Sequence, residues 1–170
     1  MLFRSMKRYA GLLQDGSLDI VGLEVVRGDW SDIARQVQEQ VLESILRDQS
    51  TEKAVENVRR TIRRLRSGEV PLSDLIIRKT LTKRIEDYAV RVPHVEVAKK
   101  LLKEGWDMTV GDKVAYVIAK GPGKIFQKAI PYNQVKPQDA DVDYYLENQV
   151  MPAAMRILER FGVAEKQLTV

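Results

Sequence analysis

The stretch SDIARQVQEQVLESILRDQSTEKAVENVRRTIRRLRSG, residues 31–68, decides how the middle of the chain folds. Apolar residues recur in each half at the three- and four-residue spacing of a helix, at Ile33, Val37, Val41, Ile45 and Leu46, then at Ala54, Val58, Ile62 and Leu65. Each half therefore predicts a helix with one buried face. Ser50-Thr51 caps the second helix and Gly68 ends it, so the stretch predicts an antiparallel helical hairpin.

Arginines occupy the other faces of the second predicted helix. They are Arg59, Arg60, Arg63, Arg64 and Arg66. Residues 51–103 hold 14 Lys and Arg against 7 Asp and Glu, although the net charge of the whole chain is only +4. Rows of guanidinium groups on one helical face can follow a phosphate backbone, which indicates a polyanion partner. A solvated outer face explains the same pattern, and the residues leave both interpretations open.

Extended segments flank the helical hairpin on both sides. Residues 7–13 and 18–27 surround Asp15-Gly16, where glycine supplies the positive φ of a tight turn. They predict an antiparallel pair of strands. LIIRKTL (75–81) and KVAYVIA (113–119) predict two further strands.

Two more helices complete the predicted architecture. Pro93 fits the first turn of one helix. The other begins at Asp139 or Asp141 and runs to Phe161, and we expect Pro152 to kink it. Strands at the start, helices after them and a small β element among the helices predict an α+β fold.

The composition excludes several kinds of chemistry. The chain of 170 residues contains no cysteine, which removes disulfides, thiolate catalysis and zinc–thiolate sites and fits an intracellular protein. His94 is the single histidine, so a multi-histidine metal site is impossible and no activated nucleophile can be nominated. No apolar run reaches the roughly 20 residues that span a bilayer. We therefore predict no catalytic residue and no metal ligand in this chain.

Asp139-x-Asp141-x-Asp143 has the spacing that opens a calcium-binding loop. Tyr144 stands where such a loop needs glycine and Val150 where it needs glutamate, so the loop fails. These aspartates instead predict a cap for the last helix.

Two further features have an ordinary structural interpretation beside a functional one. Gly121-x-Gly123 lies between Lys120 and Lys124 and predicts a plain turn, although glycines also let a backbone approach a phosphate closely. His94 follows a proline at a helix start, which favours a capping or packing histidine.

Several motifs follow one another along nearly the whole chain. The first are Lys7-Arg8-Tyr9, Gly22-Leu23-Glu24 and Arg27-Gly28-Asp29-Trp30. The later ones are GEVPLSDLIIRKTLTK (68–83), Tyr88, VPHVEVAKKL (92–101), GDKVAYVIAKGPGKI (111–125) and DYYLENQVMPAAMRILERFG (143–162). In this order and spacing they resemble the C-terminal palm end and the thumb region of archaeal family B DNA polymerases.

The resemblance implies a division of the chain and a partner. Residues 1–30 would be the last palm strands and residues 31–170 the thumb domain. The exonuclease, the fingers and the palm aspartates of the family are missing, so the resemblance implies a large catalytic chain that carries them. Mg²⁺ is expected in that partner, and no cofactor in this chain. The start MLFRSM, which lacks tag residues, favours the small subunit of a split polymerase over an engineered fragment.

The resemblance also implies, by position, which residues contact primer-template duplex DNA. They are Lys7, Arg8, Tyr9, Arg27, Lys79, Thr82, Lys83, His94, Gly121, Gly123 and Lys124. Lys7 and Tyr9 would meet the primer strand near its 3′ end, and Trp30 would pack at the palm–thumb junction. A thumb grips the duplex through its backbone, so binding should be independent of sequence and should weaken with salt.

The function implied is the non-catalytic portion or subunit of a DNA-directed DNA polymerase, a nucleotidyltransferase that is inactive without the large chain. The same resemblance implies a cytoplasmic, nucleoid-associated protein with no membrane partner. The family's clamp-binding extension is absent after QLTV (167–170), which argues against sliding-clamp binding. Two alternatives are a stand-alone duplex-binding module and an interaction protein whose basic rows bind an acidic protein.

Overall fold

The computed structural model of the chain describes residues 2–5 and 8–169. Its first part is a three-stranded antiparallel sheet of β1 (Leu2–Ser5), β2 (Arg8–Leu12) and β3 (Leu18–Val21), with β2 in the centre. The predicted pairing of the segments on either side of Asp15-Gly16 is therefore confirmed, and β1 adds a strand that the sequence did not predict.

The turn between β2 and β3 is built as the sequence predicted. Leu12 pairs with Leu18, and Gly16 adopts a φ of +87° in the connection. The Asp15 carboxylate accepts hydrogen bonds from the backbone N–H of Ser17 at 2.9 Å and from its hydroxyl at 2.6 Å. These bonds lower the pKa of Asp15, because they favour the charged carboxylate.

The predicted strand over residues 18–27 is wrong beyond Val21. The chain there leaves the sheet and forms a 3-10 turn at Glu24–Val26. Leu23 and Glu24 are both buried, so two consecutive side chains point into the interior. A strand with one solvated face would place one of them outside, which is why the alternating pattern breaks off here.

The helical hairpin is confirmed. It consists of α1 (Asp32–Leu46) and α2 (Thr51–Arg66), whose buried stripes are the predicted ones. The Ser50 side chain accepts a hydrogen bond from the backbone N–H of Lys53 at 3.0 Å and so caps α2.

A second three-stranded antiparallel sheet lies between the helices. It is formed by β4 (Ile77–Thr80), β5 (Lys113–Ile118) and β6 (Ala129–Pro131), with β5 in the centre. The helix α3 (Pro93–Lys103) packs on β5 and β6, and a single turn of helix, α4 (Ile125–Lys128), precedes β6.

The last predicted helix is interrupted. It begins as α5 (Val142–Tyr145), widens into a π-helical turn over Leu146–Val150 and continues as α6 (Met151–Leu158). Pro152 lies in the first turn of α6, where a missing N–H is tolerated, and the π turn before it absorbs the irregularity. Gly162, with a φ of +80°, terminates the final turn.

The core is centred on α1, which packs against α2 on one side and α6 on the other. Its largest fully buried side chains include Leu23, Leu42, Leu81, Ile118 and Ile157, so segments far apart in the chain contribute to it. Two small antiparallel sheets with helices between and after them make an α+β fold, as predicted. In the part of the chain that is described, no helix is long and apolar enough to cross a membrane.

Candidate nucleic-acid interface

A cleft of about 330 Å³ brings together residues that are distant in the sequence. Its lining residues are Arg27, Asp29, Trp30, Ile77, Lys79, Pro93, Tyr116, Tyr144 and Gln149. Two of the predicted DNA-contacting residues, Arg27 and Lys79, thus line one cavity, together with the proline that precedes His94. The cleft can offer two cationic side chains to one anionic ligand.

Arg27 already has an acidic neighbour in this cleft. Its guanidinium donates a hydrogen bond to the Asp29 carboxylate at 2.9 Å, and both side chains remain partly exposed. An ion pair of this kind contributes little to stability, because water screens it. A phosphate can therefore compete with Asp29 for Arg27 at a small energetic cost.

A buried polar cluster holds the turn that precedes Arg27. The Gln38 amide accepts a hydrogen bond from Val25 N–H at 2.9 Å and donates to the Glu24 carboxylate at 2.5 Å and to the Ala153 carbonyl at 2.9 Å. Arg156 Nε lies 2.5 Å from the other oxygen of Glu24, as an ion pair outside hydrogen-bond geometry. The turn is thereby fastened to both α1 and α6.

A second buried contact fixes the segment after Arg27. Ser31 occupies the N-cap position of α1, but its side chain does not cap that helix. Its backbone N–H and its hydroxyl both donate to Gln149 Oε1, at 3.1 and 2.6 Å. Gln149 lies in the π-helical turn and lines the cleft, so this contact fastens the residue that follows Trp30 to one wall of the cleft.

The tyrosines of the cleft are uncharged. Burial raises the pKa of Tyr116 and of Tyr144, so both phenols stay protonated near neutral pH. The neighbouring Tyr145 ring meets that of Tyr144 edge-on, and its hydroxyl donates to the Leu75 carbonyl at 2.6 Å. Among the lining residues described, Asp29 is the only carboxylate that opposes an anionic ligand.

The start of α3 gathers more of the predicted residues. Lys79 is exposed on β4, and His94, the second residue of α3, is 7% exposed. The His94 ring packs edge-on against Tyr88, with centroids 5.6 Å apart. Burial, and after it the positive charge of Lys79, lowers the pKa of His94. His94 is thus a packing residue, as the residues alone predicted, and its ring is neutral near pH 7.

Tyr88 links His94 to two other predicted residues. Its hydroxyl lies 3.3 Å from the Thr82 hydroxyl and accepts a hydrogen bond from Thr82 N–H at 3.0 Å; the side-chain contact, followed by the backbone one, lowers the pKa of the phenol. Lys83 Nζ lies 5.0 Å from the centre of the Tyr88 ring, within cation–π range. Lys79, Thr82 and Lys83 therefore form an exposed basic edge beside His94.

The glycine loop is exposed and has the backbone geometry that only glycine adopts easily. Gly121 and Gly123 have φ values of +140° and +103°. A Cβ on Gly123 would lie 2.5 Å from Gln127 Oε1, the atom that accepts a hydrogen bond from Lys124 N–H at 2.7 Å. The loop therefore presents backbone and the Lys124 side chain to solvent.

The remaining predicted contacts lie elsewhere. Lys7 is outside the described residues. Arg8 and Tyr9 lie on β2 and do not line the cleft, and the Tyr9 hydroxyl donates to Asp19 at 3.2 Å.

Sequence reasoning missed Arg91. Its guanidinium lies 5.8 Å from the centre of the Phe126 ring, which places an exposed cation between the glycine loop and the start of α3. The one feature of the sequence that could have indicated Arg91 is its position two residues before Pro93, at the N-terminus of a predicted helix. Across the described ranges, no group of three or more His, Cys, Asp or Glu side chains is arranged to hold a metal ion.

Comparison with known proteins places this geometry in a family. Residues 1–161 match the family model described as DNA polymerase family B. DNA polymerase 2 of Aeropyrum pernix is 45% identical over 95% of this chain, and a DNA polymerase of Thermococcus litoralis is 43% identical over 98% of it. The chain covers 20% and 10% of those two proteins.

A solved structure gives the same result. The family B DNA polymerase from the hyperthermophilic archaeon Pyrobaculum calidifontis matches 94% of this chain with a TM-score of 0.79 and 46% sequence identity, over 21% of its own length. The chain thus spans about a fifth or less of these relatives. Its resemblance to archaeal polymerases is confirmed over almost all of its residues, and the chain belongs to DNA polymerase family B.

Proposed function

We propose that this chain is a non-catalytic portion of a DNA-directed DNA polymerase that grips primer-template duplex through its backbone. Residues 1–30 would complete the palm, and residues 31–170 would form the thumb. The observation that carries the proposal is the cleft that Arg27 and Lys79 both line, beside the basic edge of Lys79, Thr82 and Lys83. A cavity with two cations and neutral tyrosines suits a phosphate backbone.

Binding would exchange the partner of Arg27. In the free chain Asp29 accepts from its guanidinium. A backbone phosphate offers two oxygens to the same fork of donors and carries a full charge, so Arg27 would turn from Asp29 to the phosphate. Lys79, Lys83, Lys124 and the exposed backbone at Gly121 and Gly123 would extend this contact along the strand.

The chemistry of nucleotide addition would come from a large catalytic chain. Phosphoryl transfer by two metal ions requires paired carboxylates that hold the ions about 4 Å apart. We expect that partner to carry these carboxylates with Mg²⁺, the fingers and the exonuclease. The isolated small chain would then neither extend a primer nor degrade one.

Duplex binding tests the cleft together with the basic edge beside it. Lys79 and Lys83 are replaced together by glutamine. The slope of the logarithm of the binding constant against the logarithm of the salt concentration should then become shallower by about 0.9 for each lost phosphate contact. Fluorescence anisotropy with a labelled duplex measures this at several salt concentrations. A matched control replaces Lys136 and Lys166, two exposed lysines outside the cleft. Equal salt dependence of the two double variants would rule out this grip.

Reconstitution tests the polymerase role. Primer extension should be absent with this chain alone and should rise when it is added to the large catalytic chain. A mixture no more active than the large chain alone, with duplex binding intact, would indicate a stand-alone duplex-binding module instead.

A further inference from the structure

The exposed side of α2 is a strongly basic surface that lies outside the cleft. We call it the α2 arginine face, and it consists of Lys53, Arg60, Arg63 and Arg64. With 100° between successive residues, these four side chains fall within about a quarter to a third of the helix circumference, and the exposed carboxylate of Glu56 lies within the same arc. Six residues on the opposite side of α2 are buried, so the helix is held rigidly against the core.

The charges on this face are only partly neutralised. Arg63 pairs with Glu56 at 2.7 Å and Lys53 with Asp48 at 2.6 Å. The guanidinium groups of Arg60 and Arg64, four residues apart, make no hydrogen bond or ion pair within the part of the chain that the structure describes, although the charge of Arg60 helps to lower the pKa of Glu56, behind the hydrogen bond and charge of Arg63. Elsewhere, the exposed arginines Arg47 and Arg84 pair with nearby carboxylates.

Helix stability does not account for this arrangement. Like charges four residues apart on a helix destabilise it by a few tenths of a kcal/mol. Cations in the last turn interact favourably with the helix dipole, which accounts for Arg63 and Arg64 but not for Arg60, which lies a turn earlier. The other two arginines of α2 are used differently: Arg59 donates to the Gln167 carbonyl at 2.7 Å, and Arg66 borders a hollow beside Glu147 and Glu165.

The composition of the face selects the chemistry of its partner. Protein–protein interfaces have an apolar centre that supplies most of the affinity. The exposed residues of α2 include no apolar side chain. A surface of guanidinium groups without an apolar anchor suits a phosphate backbone, because arginine binds phosphate oxygens through two parallel hydrogen bonds.

The dimensions of the face also fit a duplex. Lys53 and Arg64 are eleven residues apart, about 16 Å along the helix axis. This is close to half of the roughly 34 Å repeat of a DNA duplex, so the row can follow several phosphates of one strand. None of these residues lines the cleft, so the two surfaces are separate.

We propose that the α2 arginine face is a second duplex-binding surface, which contacts the phosphate backbone at a place apart from the Arg27–Lys79 cleft. It rests on the proposed function only in taking duplex DNA as the ligand. Because its contacts are to phosphates, it adds affinity without sequence preference, and its share of the affinity falls as salt is raised.

The test compares two triple variants of the full chain. Arg60, Arg63 and Arg64 are replaced by glutamine in one, and Arg47, Lys136 and Lys166, which are exposed elsewhere, in the other. Glutamine keeps nearly the helix propensity of arginine, so α2 should persist, which circular dichroism verifies. Binding to a duplex of about 30 base pairs, roughly three helical turns, is measured by fluorescence anisotropy across a salt series.

The α2 variant should bind about tenfold or more weakly at low salt. The slope of its binding constant against salt, on logarithmic scales, should be shallower by the amount that corresponds to about two to three lost phosphate contacts. The control variant should change less in both respects. Salt dependence equal to that of the control overturns the proposal. So does unchanged duplex binding with a loss of binding to polyglutamate, which would assign the face to an acidic protein.

The same titrations separate this proposal from that for the cleft. If the Lys79 and Lys83 double variant binds duplex as wild type does while the α2 variant does not, the cleft proposal fails and this one stands. The reverse result overturns the α2 proposal and leaves the cleft in place.

Discussion

Glu24 is a fully buried carboxylate in the turn between the first sheet and α1. Gln38 donates to one of its oxygens and Arg156 forms an ion pair with the other. A buried charge is tolerated only while such partners remain, since water no longer solvates it. The position of Arg27, three residues later, therefore depends on side chains from α1 and α6.

Arg156→Met should lower the free energy of unfolding by about 3 kcal/mol, because it leaves the Glu24 carboxylate buried without its cation. Urea denaturation measures this, with Lys166→Met as a control on an exposed lysine. Adding Glu24→Gln to Arg156→Met should recover much of the loss. A double variant as unstable as the single one would show that the charge of Glu24 is not the cause.

His94 is the single histidine of the chain, so its titration can be followed by NMR without assignment. Its pKa should lie below the ordinary value of 6.5, and Lys79→Gln should raise it, because one of the two causes of the shift is removed. Arg78→Gln, an exposed neighbour on β4, serves as the control. A His94 pKa at or above 6.5 in the wild-type chain would contradict the packing described for this ring.

The same shift determines a pH dependence of stability. The folded-state pKa of His94 is lowered, so between this value and about 6.5 the unfolded chain binds more protons than the folded one. The contribution of His94 to stability is therefore present above pH 6.5 and is lost as the pH falls below it. His94→Gln should flatten this part of the stability profile. An unchanged slope between pH 7.5 and 5.5, roughly one unit on either side of the ordinary value, would contradict the assignment.

At the scale of elements, the sequence predicted the helices whose apolar periodicity is long. The apolar stripes of α1 and α2 extend over several turns, and Asp15-Gly16 predicted its turn because glycine readily adopts the positive φ that the turn needs. The three-residue strand β6 has too few positions to show an alternation. Residues 22–27 look extended, yet Glu24 is drawn inward by Gln38 and Arg156, partners that lie far along the chain.

The glycine loop makes a prediction for a single element. Gly123→Ala should destabilise the protein by about 1–3 kcal/mol, because the added Cβ meets Gln127 Oε1 and the backbone φ is +103°. Thermal denaturation measures the loss. Gly28→Ala is the matched control, because its Cβ would meet nothing within 4 Å and its φ is not in the left-handed region. Equal effects of the two substitutions would mean that the loop rearranges freely.

At the scale of the whole molecule, the cleft could be predicted only in part. The resemblance selected Arg27 and Lys79, but residues alone could not show that they share a cavity. That cavity is assembled by contacts such as Ser31 to Gln149, which are 118 residues apart in the chain. The neutral tyrosines Tyr116 and Tyr144, which shape its wall, carry no sequence signal that separates them from ordinary core residues.

The first sheet makes a prediction about association. β3 is one of its two outer strands, unpaired on one side among the described residues, and Val21 on this strand is 41% exposed. An exposed edge with apolar side chains can pair with another chain. Val21→Lys should therefore lower self-association of the isolated protein at high concentration, measured by analytical ultracentrifugation. Val90→Lys, in an exposed loop, should not. A wild-type protein that stays monomeric at all concentrations would contradict this.

The span of the Ser31–Gln149 contact has a consequence for the order of events when the chain refolds. The α1–α2 hairpin forms from segments that are adjacent in the sequence. The cleft forms only after Ser31 and Gln149 come together, which closes a loop of more than a hundred residues and is therefore slow. A refolding chain would therefore present the α2 arginine face while the cleft is still unformed. In a stopped-flow experiment started from denaturant, duplex should be captured in an early, salt-sensitive phase, and the release rate should drop only in a later phase. Ser31→Ala should slow that later phase and leave the early one unchanged.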